Sequence, residues 1–172
     1  MLLGYVAELN LSEFLDKNAN ISNSFKYDDH DRTNKGDRVV IYKGERFTIE
    51  SKSLQTNQVR RDGDHWMGKA QVDASDRRTL TLPDGGTLET TLLLRGEFDI
   101  LAVNCFAFGD EWKWQFCSNS ELPHSRYRRY TECQREALIA SLVRVTWPPT
   151  PPFTADIFEV LDKLCRERTK KS

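Results

Sequence analysis

Residues 36–53, GDRVVIYKGERFTIESKS, constrain the fold more than any other stretch. Residues 37–43 are rich in β-branched side chains, Gly44 marks a turn, and residues 46–52 alternate apolar and polar. This pattern predicts a β-hairpin with a two-residue Gly44-Glu45 loop, in which glycine supplies the positive φ of a type II′ turn. Lys43 would then pair with Arg46, Ile41 with Thr48, Val39 with Glu50 and Asp37 with Lys52. Opposed residues share a sheet face, so Asp37, Glu50 and Lys52 would converge at the end away from the turn. Phe47, Ile49 and Ser51 would lie on the opposite face, suited to packing against a helix. A one-residue slip between the strands would separate the three charges.

Residues 2–15 read as an amphipathic helix, with Leu3, Ala7, Leu11, Phe14 and Leu15 on one apolar stripe and Leu2, Val6 and Leu9 beside it. NSFKYDD, at 23–29, reads as a short strand, and the polar segment that follows ends at Gly36. SLQTNQVRRDGDHWMGKAQ is polar and glycine-punctuated, and is expected to be mostly irregular. TLTLPDGGTLETTLLL predicts a second hairpin bending at residues 83–86. FDILAVNCFAF and WKWQFC predict a third strand pair, the first apolar on both faces as in a central strand. TECQREALIASLVRV is expected to be helical, and WPPTPPF a polyproline-like connector. Thr154 is placed to cap a final helix, ADIFEVLDKLCRER, with Ile157, Phe158, Leu161 and Leu164 facing the body. These elements add up to one mixed α/β domain over residues 1–172, with a core at about 1–120 and a C-terminal helical part at about 121–172.

The chain has 172 residues, 38% hydrophobic and 30% charged, enough for one compact core. No apolar run approaches the ~20 residues that span a bilayer, so no membrane partner is expected. The first residues lack the basic region of a signal peptide, and a cytoplasmic location is the default expectation. Cys105, Cys117, Cys133 and Cys165 show no zinc spacing and read as reduced thiols. Lysine and arginine number 25 against 26 acidic residues, so overall charge does not call for a nucleic-acid partner. Local patches permit one without demanding it: RYRRY at 126–130 interleaves phosphate-binding arginine with stacking tyrosine, and the pairs Arg60-Arg61 and Arg77-Arg78 and the tail RERTKKS are basic. Taken alone, these patches read more simply as a solvated basic face.

Two carboxylates held close together repel unless a cation joins them. Mg²⁺ suits such a pair, because it takes carboxylate oxygens while keeping waters and binding phosphate. A lysine beside it orients water and stabilises charge building on phosphate. The simpler alternative is a cross-strand Asp–Lys ion pair beside an incidental glutamate. Asp99 reads as structural, since no E-x-K follows it. His30, His65 and His124 lie in polar segments; a role for His30 near the metal is the less favoured reading.

Asp37, twelve intervening residues, then Ile49-Glu50-Ser51-Lys52-Ser53 resembles the D-x(n)-(D/E)-x-K signature of the PD-(D/E)XK nuclease superfamily. It looks particularly like the restriction-endonuclease-like and Holliday-junction-resolvase-like branch, where a short hairpin links the aspartate to the E-x-K strand. That branch often carries a glutamate in its first helix, and Gly4-Tyr5-Val6-Ala7-Glu8 resembles that setting. YDDHDRTNKGD resembles the polar approach to the family's aspartate, although glycine precedes Asp37 where the motif has proline. FDILAVNCFAFGDEWKWQF resembles the family's later strand pair. The motif does not account for residues 54–95.

The resemblance implies a restriction-endonuclease-like mixed β-sheet flanked by helices. It implies a DNA endonuclease dependent on Mg²⁺, or on Mn²⁺ in its place, of restriction, homing or junction-resolving type. Asp37 and Glu50 would bind metal, Lys52 would position water, Glu8 would assist, and Gln55 would be auxiliary. Arg60, Arg61, Arg126, Arg128 and Arg129 are candidates for phosphate contact. Cutting both strands of a duplex implies a homodimer. The competing reading is a non-catalytic DNA-binding or assembly subunit that retains the fold.

Overall fold

The computed structural model describes residues 2–26 and 36–171, with side chains of the first helix from Tyr5 onward. Most of the polar approach YDDHDRTNKGD, His30 included, lies outside the described residues. Helix α1 (Leu2–Asp16) leads into β1 (Ile21–Lys26), β2 (Arg38–Tyr42) and β3 (Glu45–Ser53). After a 3₁₀ turn at Thr56–Gln58 come β4 (Arg60–Asp62), β5 (His65–Gln71), β6 (Asp73–Thr81) and β7 (Thr87–Leu92). The chain continues through β8 (Ile100–Asn104), β9 (Trp114–Ser118), a short α2 (Glu132–Ala137), β10 (Leu142–Trp147) and α3 (Ile157–Lys171).

The main sheet is mixed, in the order β1-β2-β3-β8-β9. β3 and β8 run parallel, with Glu50 opposite Leu101 and Lys52 opposite Val103; the other neighbours are antiparallel. All five residues of β8 are buried, as its two-sided apolarity predicts. α1 and α3 cover one face of this sheet. Ala7, Leu11 and Leu15 of α1 and Ile157, Val160 and Leu161 of α3 pack with Phe47, Ile49, Ile100, Ala102 and Phe116. Phe14 stays partly exposed while its ring stacks on Phe116 with centroids 5.8 Å apart.

The opposite face is covered by a three-stranded sheet, β10-β5-β4, whose Ala70, Val143 and Val145 meet Leu101, Val103 and Cys117. Two expectations are corrected here. Residues 60–71 form strands rather than an irregular segment, with Arg60 opposite Met67 and Asp62 opposite His65. β4 is exposed throughout and β5 buries only Gly68 and Ala70, so neither carries a large apolar repeat. Likewise the helix expected over TECQREALIASLVRV stops at Ala137, and residues 142–147 pair with β5. Alternating Val143 and Val145 face the core there, a strand's period rather than a helix's.

Thr131 caps α2 in a capping box with Gln134. WPPTPPF turns back instead of extending, and Thr154 bridges to Phe116 on β9. Asp156, not Thr154, caps α3: its Oδ1 accepts the Phe158 N–H at 2.9 Å. β6 and β7 form the expected hairpin, closed over residues 82–86. Among the described residues no helix is long and apolar enough to cross a membrane. Cys105 and Cys117 are buried, and burial pushes each thiol up to about 12.

Candidate active site

The β2–β3 hairpin turns at Lys43-Gly44, one residue earlier than expected, so Tyr42 pairs with Glu45, Ile41 with Arg46 and Val39 with Thr48. Lys43 and Gly44 have φ of 50° and 77°. Positive φ at both central positions is the signature of a type I′ turn, which favours glycine second rather than first. The Lys43 Nζ is anchored 2.6 Å from Asp162 Oδ1 on α3. Moving a two-residue turn by one position moves every pairing by two. Strand faces alternate with period two, so this displacement preserves the shared face that a one-residue slip would destroy.

Asp37 sits one residue before β2 and is fastened on both sides of Glu50. Its N–H donates to Ile49 O at 2.8 Å, and its Oδ2 accepts the Ser51 N–H at 2.7 Å. Lys52 Nζ lies 2.9 Å from Glu50 Oε1 and donates to the Asp73 carbonyl at 2.8 Å. The Glu50 and Lys52 side chains are only 13% and 19% exposed. Burial pushes the Asp37 carboxyl above its ordinary range, opposed by the Ser51 N–H and the Lys52 charge. Burial also raises Glu50; the Asp37 charge adds to this and Lys52 opposes it. Both desolvated acids therefore feel the Lys52 ammonium, and Asp37 feels that of Lys26 as well.

Gly36 makes this approach possible. Its φ is +84°, and a Cβ there would stand 3.2 Å from both Ile49 O and Thr48 Cβ. Proline, locked near −65°, cannot adopt that conformation.

Glu8 of α1 pairs with Lys26 of β1 at 2.9 Å, and both charges act on Asp37. The first helix thus brings its carboxylate to the edge of the cluster rather than into contact with Glu50 or Lys52. On another side stands Glu97, which sequence reasoning missed. Its charge raises Glu50, and its carboxylate is gripped by Arg78 while accepting the Leu94 N–H at 2.8 Å. No local motif marks Glu97; only the pairing of β3 with β8 returns this part of the chain to Glu50.

Gln55 is not part of the charge cluster. Its Oε1 accepts from Gln58 at 2.6 Å and its Nε2 donates to Gln71 Oε1 at 2.8 Å. Gln71 in turn donates to Asp73 Oδ2 at 3.2 Å, so Gln55 belongs to the scaffold of the residue whose carbonyl holds Lys52. Asp99 is structural: its Oδ2 accepts the Thr48 N–H at 2.8 Å and its Oδ1 meets Arg168 Nη2 at 3.0 Å.

The five arginines expected to contact phosphate are dispersed. Arg60 is exposed on β4, and Arg61 is occupied within its own hairpin, donating to Gly63 O at 2.7 Å with its guanidinium 5.1 Å from the Trp66 ring centroid. Arg126, Arg128 and Arg129 are all exposed, and Arg126 alone of the five lines a cleft of about 1050 Å³. Asp73, Arg77, Arg144 and His124 line that cleft too, while His65 lies exposed on β5.

Comparison with protein-family models, with curated proteins and with solved structures gives no match. Function must therefore be argued from chemistry. Two carboxylates and one ammonium leave the Asp37–Glu50–Lys52 cluster one negative charge in excess when all are ionised. Among the described residues no group of three or more His, Cys, Asp or Glu side chains is gathered as a metal cage. Two hard oxygen donors nevertheless fit Mg²⁺ or Mn²⁺, which complete their shells with water and substrate phosphate. Lys52 has three N–H donors, two of them committed to Glu50 and Asp73, leaving one for a water or phosphate oxygen.

Proposed function

We propose that this chain is a Mg²⁺-dependent DNA endonuclease of the PD-(D/E)XK type with a restriction-endonuclease-like core. The observation that carries the reading is the convergence of Asp37, Glu50 and Lys52, with both carboxylates desolvated beside a lysine fastened from two directions. Burying acids is costly, and a protein gains nothing structural by placing two of them against one cation. A divalent ion that arrives with the substrate gives the arrangement a purpose. Support also comes from the setting: a short hairpin joins the aspartate to the E-x-K strand, Glu8 projects from the first helix, and an apolar strand is followed by one beginning at Trp114.

In this reading Asp37 and Glu50 would hold Mg²⁺, which would supply charge neutralisation at the phosphate and make water more acidic. Lys52 orients the attacking water and stabilises negative charge gathering on the phosphate oxygens. Water oxygen bonds to phosphorus as the bond to the leaving oxygen breaks, giving a phosphomonoester and a hydroxyl. The Glu8–Lys26 pair adjusts the field at Asp37 from the helix side. Cutting both strands of a duplex takes two such centres, which a homodimer would provide.

Plasmid and branched DNA incubated with the protein in Mg²⁺ or EDTA, beside Asp37→Ala and Lys52→Ala, test the proposal. Metal-dependent nicking lost in both variants is the expected result. Equal nicking by wild type and variants overturns the assignment of the site. DNA binding without any cleavage would instead make the chain a non-catalytic subunit.

A further inference from the structure

The nuclease centre does not end at Lys52. The Asp73 carbonyl that accepts from Lys52 Nζ belongs to a residue lining the 1050 Å³ cleft, so the charge cluster and the cleft meet at one residue. Its walls come from four parts of the chain: Asp73 and Arg77 on β6, Thr90 to Leu92 on β7, the segment from Pro123 to Tyr130, and Arg144 on β10 with the residues just before it. The charged lining comprises three arginines, Arg77, Arg126 and Arg144, against one aspartate, a net of +2 with His124 neutral.

These arginines are not consumed by the fold. Arg77 and Arg126 form no ion pair among the described residues, and Arg144 Nη2 reaches only the Met67 sulfur, at 3.0 Å. The neighbouring Arg78 makes a useful contrast, being clamped by Glu97. The cleft also presents aromatic rings. Tyr127 is 49% exposed and meets Tyr130 edge-on with centroids 4.9 Å apart. Tyr130 is itself fixed by a 3.0 Å hydrogen bond between its hydroxyl and Thr90 Oγ1. One ring is thus supported from behind while much of its surface stays open.

Unpaired cations beside an open aromatic ring are the two elements of single-strand recognition: phosphates take the cations and a base takes the ring. Bases inside a duplex are already stacked and cannot use Tyr127 without being unstacked. We infer that this cleft binds an unpaired DNA segment flanking the scissile phosphate, with phosphates on Arg77, Arg126 and Arg144 and a base on Tyr127. The inference rests on the nuclease reading of the adjoining cluster. It makes the preferred substrate a flap, a gap or the open centre of a branched junction rather than continuous duplex.

Binding and cutting separate the two ideas. Anisotropy of a labelled 20-nucleotide single strand, of its duplex and of the same sequence as RNA is measured in EDTA over a salt series. The single DNA strand is expected to bind most tightly. Tyr127→Ala should weaken it by roughly 5- to 100-fold while leaving the duplex unchanged, and Tyr127→Phe should retain binding. Arg77→Gln with Arg144→Gln should flatten the dependence of log K on log salt by about 1.4, at about 0.7 per phosphate contact. Tighter binding of duplex or RNA, or a Tyr127→Ala variant that binds the single strand like wild type, overturns the inference. If binding follows these expectations but no preparation cuts DNA, the nuclease proposal fails and the single-strand site stands.

Discussion

Lys52→Met removes the cation that pairs with Glu50 while keeping much of the side chain's bulk. In EDTA at pH 7.5 it leaves buried Glu50 without the Lys52 ammonium, and buried Asp37 with only the weaker Lys26 charge. Removing one partner of a buried pair costs about 3–5 kcal/mol. Lys52 and Glu50 keep 19% and 13% exposure, which puts the expected loss near the lower end, about 3 kcal/mol. For a chain of this length that corresponds to a fall in Tm of about 6–12 °C. The sign with pH follows from linkage. Both carboxyls are raised in the folded protein above their ordinary values of 3.8 and 4.5. A raised carboxyl contributes stability that is fully present below its unfolded value and is lost as pH rises through its folded value. Without Lys52 the folded values rise further, so the variant should lose stability more steeply than wild type above about pH 4. Near pH 4 only the hydrogen bond to the Asp73 carbonyl is missing, worth about 1 kcal/mol. Urea unfolding of both proteins at pH 4 and pH 7.5, without and then with Mg²⁺, reads these terms. Mg²⁺ should restore part of the variant's stability at pH 7.5. An equal loss at both pH values, untouched by Mg²⁺, would refute the idea that Lys52 balances these acids.

Other substitutions probe how the site is held. Gly36→Ala forces a side chain into a positive-φ position against Ile49 O; about 1–2 kcal/mol of stability should be lost. Because Asp37 moves with it, Mg²⁺-dependent nicking should fall by about a hundredfold, far more than the stability loss explains. Gly68→Ala places a Cβ 3.1 Å from the buried Phe108 ring and should cost about 1–3 kcal/mol in urea unfolding. Combining it with Phe108→Leu should cost less than the sum of the two changes if that close approach is the cause. Asp99→Ala strands the Thr48 N–H and removes one of several partners of Arg168, which Glu45 and the Arg46 carbonyl still hold; it should cost about 1–3 kcal/mol while leaving nicking at the wild-type rate below the melting range. Loss of nicking in a folded Asp99→Ala protein would place Asp99 in the chemistry instead.

The hairpin was legible because its message survives error. Asp37, Glu50 and Lys52 were expected to converge under a Gly44-Glu45 turn, and they converge under Lys43-Gly44, since both registers preserve face parity. α1 and α3 were legible from stripes such as Ala7, Leu11 and Leu15, which are buried together. β4 and β5 were not, because Arg60, Arg61 and Asp62 face solvent and Gly68 and Ala70 are too small to raise an apolar signal. β10 was masked by Leu138, Ile139, Leu142 and Val143, which fit a helical period until Ser141 and the alternating valines are weighed. Glu97 had no sequence signal at all; its place beside Glu50 depends on which strand lies next to β3.

That neighbour relation explains the long segment between β3 and β8. β3 and β8 are parallel, so the chain must travel back along the sheet before β8 can begin, and a tight turn cannot do it. Residues 54–99 make that return, and on the way they build part of the site. Gln58, Gln55 and Gln71 form a hydrogen-bonded series ending at Asp73, whose carbonyl fixes Lys52 Nζ. Further along, Arg78 holds Glu97 near Glu50, and Arg77 faces the cleft. Gln55 thus acts on Lys52 only through this series, as a positioning residue. Gln71→Ala should therefore lower the nicking rate without altering which DNA is bound, whereas Arg77→Gln should do the reverse. If Gln71→Ala instead changed binding and left the rate intact, the return segment would serve the cleft alone, and Lys52 would be held by Glu50 without its help.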